Sequence, residues 1–415
     1  MSTVNPFRAL RPRADLVSRV AALPYDVMNV EEAKGQAASE PLSFLRVEKS
    51  EIDLPDAGGV EDLRIYAKAK DNLRELIAGG VMVQESEPCF YVYRQKMGGR
   101  LQTGIAACIS VAEYEAGVVR KHEFTRADKE RERTLHIDTV SAQTGPVFIA
   151  YRGRKEIDAV VDAAMTGPPL YDFIAGDGNG HTVWRIDGES DIEALRKEFA
   201  AVEALYIADG HHRCAAAAAV ARRRKGANPG HSGREEYNFT LAVLFPHDQL
   251  RILDYNRVVK DLNGMDGEEF LRRVAERFEV HDSFSARTPA RRGEFGMYLK
   301  GSWRRLVAKP DPKRREDPIT SLDVSILQAD LLEPLLGIGD PRTDKRIDFV
   351  GGIRGMDELE RLVGSGRFSV AFSLFPSSLD ELMAVADTGK VMPPKSTWFE
   401  PKLRSGIFVH TLEGF

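Results

Sequence analysis

The stretch Leu205-Tyr-Ile-Ala-Asp-Gly-His-His-Arg-Cys-Ala-Ala-Ala-Ala-Ala219 constrains the fold of this chain more than any other. A short apolar run meets an Asp-Gly pair and then a row of strong helix formers lasting to about Lys225, which predicts a strand, a tight turn and an Ala-rich helix. The start of such a helix carries backbone N–H groups with no partner inside it and the positive end of its dipole, so it favours an anion. Gly210 allows the backbone to turn sharply and approach a ligand. His211, His212 and Arg213 add side-chain donors, and Arg213 can grip a phosphate or carboxylate through its planar fork. The competing reading is a packed core helix capped by Asp209, with the histidines satisfying buried carbonyls. The five alanines predict close packing of the helix on its neighbours.

Around this element the pattern mixes helices and short strands without a regular βαβ period, which predicts an α+β fold with a mixed sheet rather than a doubly wound one. Residues 60–78 form an amphipathic helix that stops at Gly79-Gly80. The runs beginning at Cys89 and Gly104, joined through Gly98-Gly99, form a hairpin. A helix is expected over 154–165, strands over 181–187, 239–245 and 250–259, a helix over 267–278, a hairpin over 295–308 and a helix over 320–336. Lys309–Pro318 reads as a loop. The texture changes after about residue 262, so two domains are expected: 1–262 with the His-Glu and Asp-Gly-His-His-Arg segments, and an α+β region, 263–415, with a Pro-Pro-Lys-Ser-Thr loop.

Composition narrows the function classes. The 415 residues hold 58 Lys+Arg and 63 Asp+Glu, a net charge of −5, which argues against a dedicated nucleic-acid binder. The most apolar windows, 239–246 and 369–375, fall far short of the ~20 residues a membrane helix needs. Cys89, Cys108 and Cys214 lack metal-cluster or disulfide-framework spacing, and Met1–Pro6 lacks the pattern of a signal peptide. A cytoplasmic protein acting on a small molecule is expected, without nucleic-acid or membrane partners, and a homo-oligomer is compatible with that reading.

Two further segments carry chemistry. In Val119–His136, His122 and Glu123 precede a charged run. Glu123 is suited to act as general base towards a hydroxyl or to hold a divalent cation, and Arg126 to neutralise phosphate. Asp128–Glu132 reads as a solvated helix face. In Met392-Pro-Pro-Lys-Ser-Thr397, two prolines stiffen the approach to the ammonium of Lys395 and the hydroxyls of Ser396 and Thr397. Pro24-Tyr-Asp-Val27 and Ser43-Phe-Leu-Arg46 offer a further Asp, Ser and Arg. Gly176–Gly180 lacks the helix and acidic residue of a dinucleotide site and reads as a turn.

On Pro6-Phe-Arg-Ala-Leu10, Pro24-Tyr-Asp-Val27, Pro41–Arg46, Lys121-His-Glu123, Ala208–Arg213, Tyr255-Asn-Arg257, Arg346–Gly352 and Met392–Thr397, the sequence resembles the bacterial and archaeal family called domain of unknown function 1015. More distantly, Asp209-Gly-His-His-Arg213 with its Ala-rich helix is similar to the phosphate-cradling box of the ParB/sulfiredoxin-like superfamily, which includes free-serine kinases. Sulfiredoxin's catalytic cysteine has no counterpart, because His211 stands before His212. This second resemblance implies a nucleotide such as ATP or ADP at the helix start and a phosphotransferase, run as kinase or phosphatase, on a small hydroxylated metabolite such as serine or phosphoserine. In that scheme Asp209 and Glu123 hold Mg²⁺, Arg213 and the histidines stabilise phosphate charge, and Gly210, His122, Lys395, Ser396, Thr397 and Arg126 contact the ligand. Two alternatives are a non-catalytic ParB-like nucleotide sensor and a metal-dependent hydrolase with His122, His136, His211 and His212 as ligands.

Overall fold

The structure is a computed structural model and describes residues 2–315 and 317–413. Glu316, within the predicted loop, lies outside the described residues. The chain divides into two compact units, Met1–Leu250 with Pro401–Phe415, and Arg251–Glu400. Both mix helices with a β-sheet, so the fold is α+β.

In the first unit the sheet strands are β1 (Val4–Asn5), β2 (Phe90–Met97), β3 (Arg100–Ser110), β4 (Val119–Arg120), β5 (Val147–Tyr151), β6 (Tyr171–Ile174), β7 (Gly180–Ile186), β8 (Leu205–Asp209) and β9 (Phe239–Pro246). Their order is β4-β8-β5-β9-β3-β2-β7-β6, with β1 beside β3. The sheet is mixed: β8 runs parallel to β4 and antiparallel to β5, whereas β9 runs parallel to β5 and antiparallel to β3. The expected hairpin is β2–β3, turning at Gly98-Gly99, where both residues have positive φ.

The helices of this unit are α1 (Leu63–Ala78), α2 (Ala127–Val140), α3 (Lys155–Ala164), α4 (Glu189–Ala200) and α5 (His211–Ala227). Ile157 and Val161 of α3, with Leu195 and Phe199 of α4, pack with Val147, Ile149, Leu205 and Ile207 of the central strands. Ala216, Ala217, Ala218 and Val220 of α5 are buried with Ile137 of α2 and with Tyr237. The small side chains let α2 and α5 approach closely, which brings the segment before α2 to the start of α5. Asp128 and Arg131 are exposed, in keeping with the solvated face expected over Asp128–Glu132, while Arg133, His136, Ile137 and Val140 of the same helix are buried.

The second unit holds β10 (Tyr255–Val259), β11 (Phe278–Asp282), β12 (Glu294–Leu299), β13 (Ser302–Ala308), β14 (Ile347–Gly351) and β15 (Val370–Leu374), in the order β11-β13-β12-β15-β10-β14. Its helices include α6 (Gly267–Arg277), α7 (Gly355–Gly364) and α8 (Leu379–Asp387). Leu359 and Leu362 of α7 pack with Val258, Val350 and Ala371.

Three expectations about layout need correction. The division falls at 250/251 rather than near 262, because β10 belongs to the second sheet; the texture change at 262 marks only the approach to α6. Residues 401–415 return to the first unit, where Val409 bridges Leu10, Ser405 bridges Ala22 and His410–Thr411 pairs with Ala142–Gln143. The strand expected over 250–259 is two, Ile252–Leu253 and β10. Asp254 lies between them, its carbonyl accepting the Gly352 N–H at 2.7 Å. Among the described residues no helix is long and apolar enough to cross a membrane.

Candidate functional site

β8 ends at Asp209, and Gly210 follows with φ 96° and ψ 29°, in the left-handed region. That conformation disfavours any side chain, and a Cβ here would lie 3.0 Å from Nε of Arg213. The Gly210 carbonyl accepts the N–H groups of Arg213 and Cys214 at 2.9 and 3.1 Å, closing the first turn of α5. Among the described residues no side chain caps this helix. The cap position is Gly210, so the reading of Asp209 as N-cap is incorrect. Asp209 instead accepts a hydrogen bond from Nζ of Lys402 at 3.0 Å. Burial opposes its charge, but Lys402 and Arg213 outweigh burial and hold the carboxyl well below its usual range.

The two histidines act otherwise than as charged phosphate grips. Nε2 of His211 accepts the backbone N–H of His122 at 3.4 Å, and Nε2 of His212 accepts that of Arg126 at 3.0 Å. An accepting nitrogen carries no proton, so these geometries select neutral imidazoles. Burial pushes His211 well below its ordinary value, helped by neighbouring His122, and also lowers His212. Burial takes His122 down to about 4, against the raising effect of its hydrogen bond with the Ile207 backbone. The pair thus clamps segment 121–126 onto the helix start. Arg126 enters through its backbone, while its exposed guanidinium pairs with Asp128 at 2.7 Å.

Arg213 is 8% exposed and folds beneath the turn. Its Nη1 donates to the Pro146 carbonyl, and its Nη2 lies 3.8 Å from Asp26. Burial opposes the charge, yet Asp26, Asp209, Tyr25 and Glu48 hold the pKa above its ordinary value. The guanidinium therefore backs the helix start with a fixed positive charge instead of reaching outward as an open fork. Beside it a chamber of about 20 Å³, enough for one water, is lined by Tyr25, Glu48, Arg133, Gly145 and Arg213 among others. Glu48 is buried and takes Arg133 Nη1 at 3.1 Å. Burial raises its pKa, but Arg133 and His136 more than offset this and lower it. A larger cavity of about 420 Å³ shares Glu48, Arg133 and His136 as wall.

His122, half-buried Glu123 and His211 bring one possible ligand atom each to within 4.8 Å of one another. Asp209, expected to pair with Glu123 around a cation, is not in this group. Neither are His136, whose Nε2 lies 2.9 Å from the Val47 carbonyl, and His212. Lys395, Ser396 and Thr397 belong to the second unit. There the Lys395 carbonyl accepts Arg257 Nη2 at 3.0 Å, the Lys395 ammonium lies 5.7 Å from the Tyr255 ring centre, and the Ser396 carbonyl accepts the Ser377 hydroxyl at 3.2 Å.

Sequence reasoning passed over Lys402 and Glu48, and did not rank Asp26 or Arg133 among the site residues. Asp26 had a signal in the stiff Pro24-Tyr-Asp-Val27 segment. Lys402, nearly two hundred residues from its partner, had none.

Among protein families, the one described as "Protein of unknown function (DUF1015)" matches residues 4–325. The chain belongs to the DUF1015 family. No curated protein matches the DUF1015 chain by sequence. Solved structures similar to it include a free serine kinase in complex with AMP, 13% identical, covering 73% of this chain and 91% of that one with a TM-score of 0.35. They also include a conserved hypothetical protein from Pyrococcus furiosus, at 14% identity, 74% and 95% coverage and a TM-score of 0.35. A third is C-terminally truncated SbnI from Staphylococcus aureus, at 10%, 74% and 87%, with 0.39. TM-scores this low carry no argument about function.

Proposed function

We propose that this DUF1015 protein is a phosphotransferase that binds the phosphates of an adenine nucleotide at the start of α5 and transfers a phosphoryl group to or from a small hydroxylated metabolite. The observation that carries the reading is the uncapped helix start at Gly210, backed by the buried, charged Arg213. The N–H groups of His211 and His212 are the donors there, and the helix dipole adds to them.

Phosphoryl transfer is mostly positioning and charge stabilisation, so fixed donors matter more than a strong nucleophile. Two carboxylates border the helix start: Glu123, beside His122 and His211, and Asp26, beside Arg213. In the forward direction one of them takes the proton of the acceptor hydroxyl as its oxygen bonds to phosphorus and the bond from phosphorus to the nucleotide's leaving oxygen breaks. Arg213 is a positioning residue in this scheme. Lys402 holds Asp209, which makes Asp209 a poor seat for Mg²⁺; a magnesium ion would enter with the nucleotide phosphates. The likeness of the Asp-Gly-His-His-Arg segment to the serine-kinase box makes serine the first acceptor to try.

The test is a product assay with ADP or ATP, Mg²⁺ and L-serine, run on wild type and Arg213→Ala, with folding of both checked by circular dichroism. A nucleotide-dependent phosphorylated product that falls by roughly 10²–10³-fold in the variant is expected. Equal turnover in a folded Arg213→Ala protein would remove the reading.

A further inference from the structure

We infer that His122, Glu123 and His211 form a binding site for one divalent transition-metal ion of the zinc, iron or nickel kind, set at the first residue of α5. Two imidazoles with one carboxylate are the donor set of His₂Glu zinc sites and of two-His-one-carboxylate iron sites, which leave further positions open to water or substrate. Imidazole selects this class over Mg²⁺ or Ca²⁺, which take oxygen ligands.

Four features of the structure fit such a centre. The three residues come from two segments whose backbones are fixed: His211 is the first residue of α5, and His122 and Glu123 lie on the segment that His212 of α5 holds through the Arg126 N–H. The ligand atoms span no more than 4.8 Å, so modest side-chain rotation closes them on a single ion. The His122 ring already has a hydrogen bond with the Ile207 backbone, the arrangement by which metal-binding histidines fix ring orientation. The contact between the His122 N–H and His211 Nε2, at 3.4 Å, is long, so His211 gives up little on turning towards a cation.

An ion here would lie beside the N–H groups that the proposed function assigns to phosphate, where it can polarise a phosphoryl oxygen. Glu123 is then a ligand, and Asp26 remains as the carboxylate for the acceptor hydroxyl. The inference concerns the same site but does not depend on that reading, because metal binding is measured without turnover.

Tag-free, full-length protein is stripped with chelator and titrated with Co²⁺, followed by visible absorption and by competition with Zn²⁺. One equivalent is expected to bind, with affinity lowered by roughly 10–100-fold or more in Glu123→Gln and in His211→Ala, and unchanged in His281→Ala, a surface histidine of the second unit. Since His211→Ala removes a buried ring, the half-buried Glu123→Gln carries the test, with its melting temperature confirming the fold. The inference is overturned if wild type shows no saturable site, if Glu123→Gln binds as wild type does, or if His281→Ala abolishes the signal. A protein that binds Co²⁺ through Glu123 yet yields no phosphorylated product keeps this site and discards the phosphotransferase.

Discussion

Arg213 in the first unit and Arg257 in the second are both buried guanidiniums beside a loop with the composition of a ligand grip, and they are used in opposite ways. Carboxylates surround Arg213, and Asp26, Asp209 and Glu48 favour its charge despite burial. Arg257 is held by the carbonyls of Tyr255 and Lys395 and lies 5.3 Å from the Phe349 ring centre; burial takes its pKa down to about 10. The first arginine puts stabilised charge behind an uncapped helix start. The second ties the 392–397 segment to a strand. Polar side chains in a stiff loop serve a ligand only where the surrounding chain has not already engaged them.

The two units also differ in their ionisable cores, and acid should separate them most strongly. In the first unit His122 and His136 titrate at about 4 and His181 at about 3, all lowered chiefly by burial. Their folded values lie below the unfolded value of roughly 6.5, so the stability tied to the neutral rings is complete above that pH and is lost as pH falls towards 4, by up to about 1.4 kcal/mol per pH unit for each ring. In the second unit burial pushes Asp323 up to about 7, against the hydrogen bond it accepts from the Gly293 N–H at 2.8 Å. Its folded value lies above the unfolded one of roughly 3.9, so its contribution is complete below that and is lost as pH rises towards 7. Hydrogen-exchange protection factors at pH 4.5 and 7 should therefore fall on acidification in α2 and β7, which carry His136 and His181, and rise around Asp323. Movement in the same direction in both regions would break the comparison.

Substitution of the two arginines gives the next largest contrast. Arg213→Ala takes the buried cation from Asp26 and one of two cations from Asp209, which keeps Lys402, and from Glu48, which keeps Arg133, and should cost ~3–5 kcal/mol in urea unfolding. Arg257→Met abandons two carbonyls but also removes a buried charge that, among the described residues, no carboxylate pairs with, and should cost ~1–3 kcal/mol with the product assay unaffected. Equal losses would mean that the carboxylates around Arg213 contribute nothing beyond packing.

The elements legible in the sequence are those with a local signature. They include β8 and the Gly210 turn, the β2–β3 hairpin with its paired glycines, α6 behind its Asp266 cap, and the β12–β13 hairpin. β5 was not legible: like β8 and β9 it is buried and shows no alternation, but it has neither the length of β9 nor the Asp-Gly turn and Ala-rich helix that follow β8. Within the site, the residue types could be read but their states could not. That His211 and His212 accept backbone N–H groups, and that Arg213 turns inward to Pro146, depends on segments 120 and 146 folding back to the helix. Lys402 reaches Asp209 only because the C-terminal segment returns to the first unit.

The most direct test of the helix start as a phosphate site is the amide NMR spectrum of the full chain titrated with ADP. The largest shifts should fall on the His211 and His212 N–H groups in wild type and be lost in Gly210→Ala, whose turn cannot keep its left-handed geometry without strain. Shifts confined to 392–397, or a Gly210→Ala response equal to wild type, would contradict it.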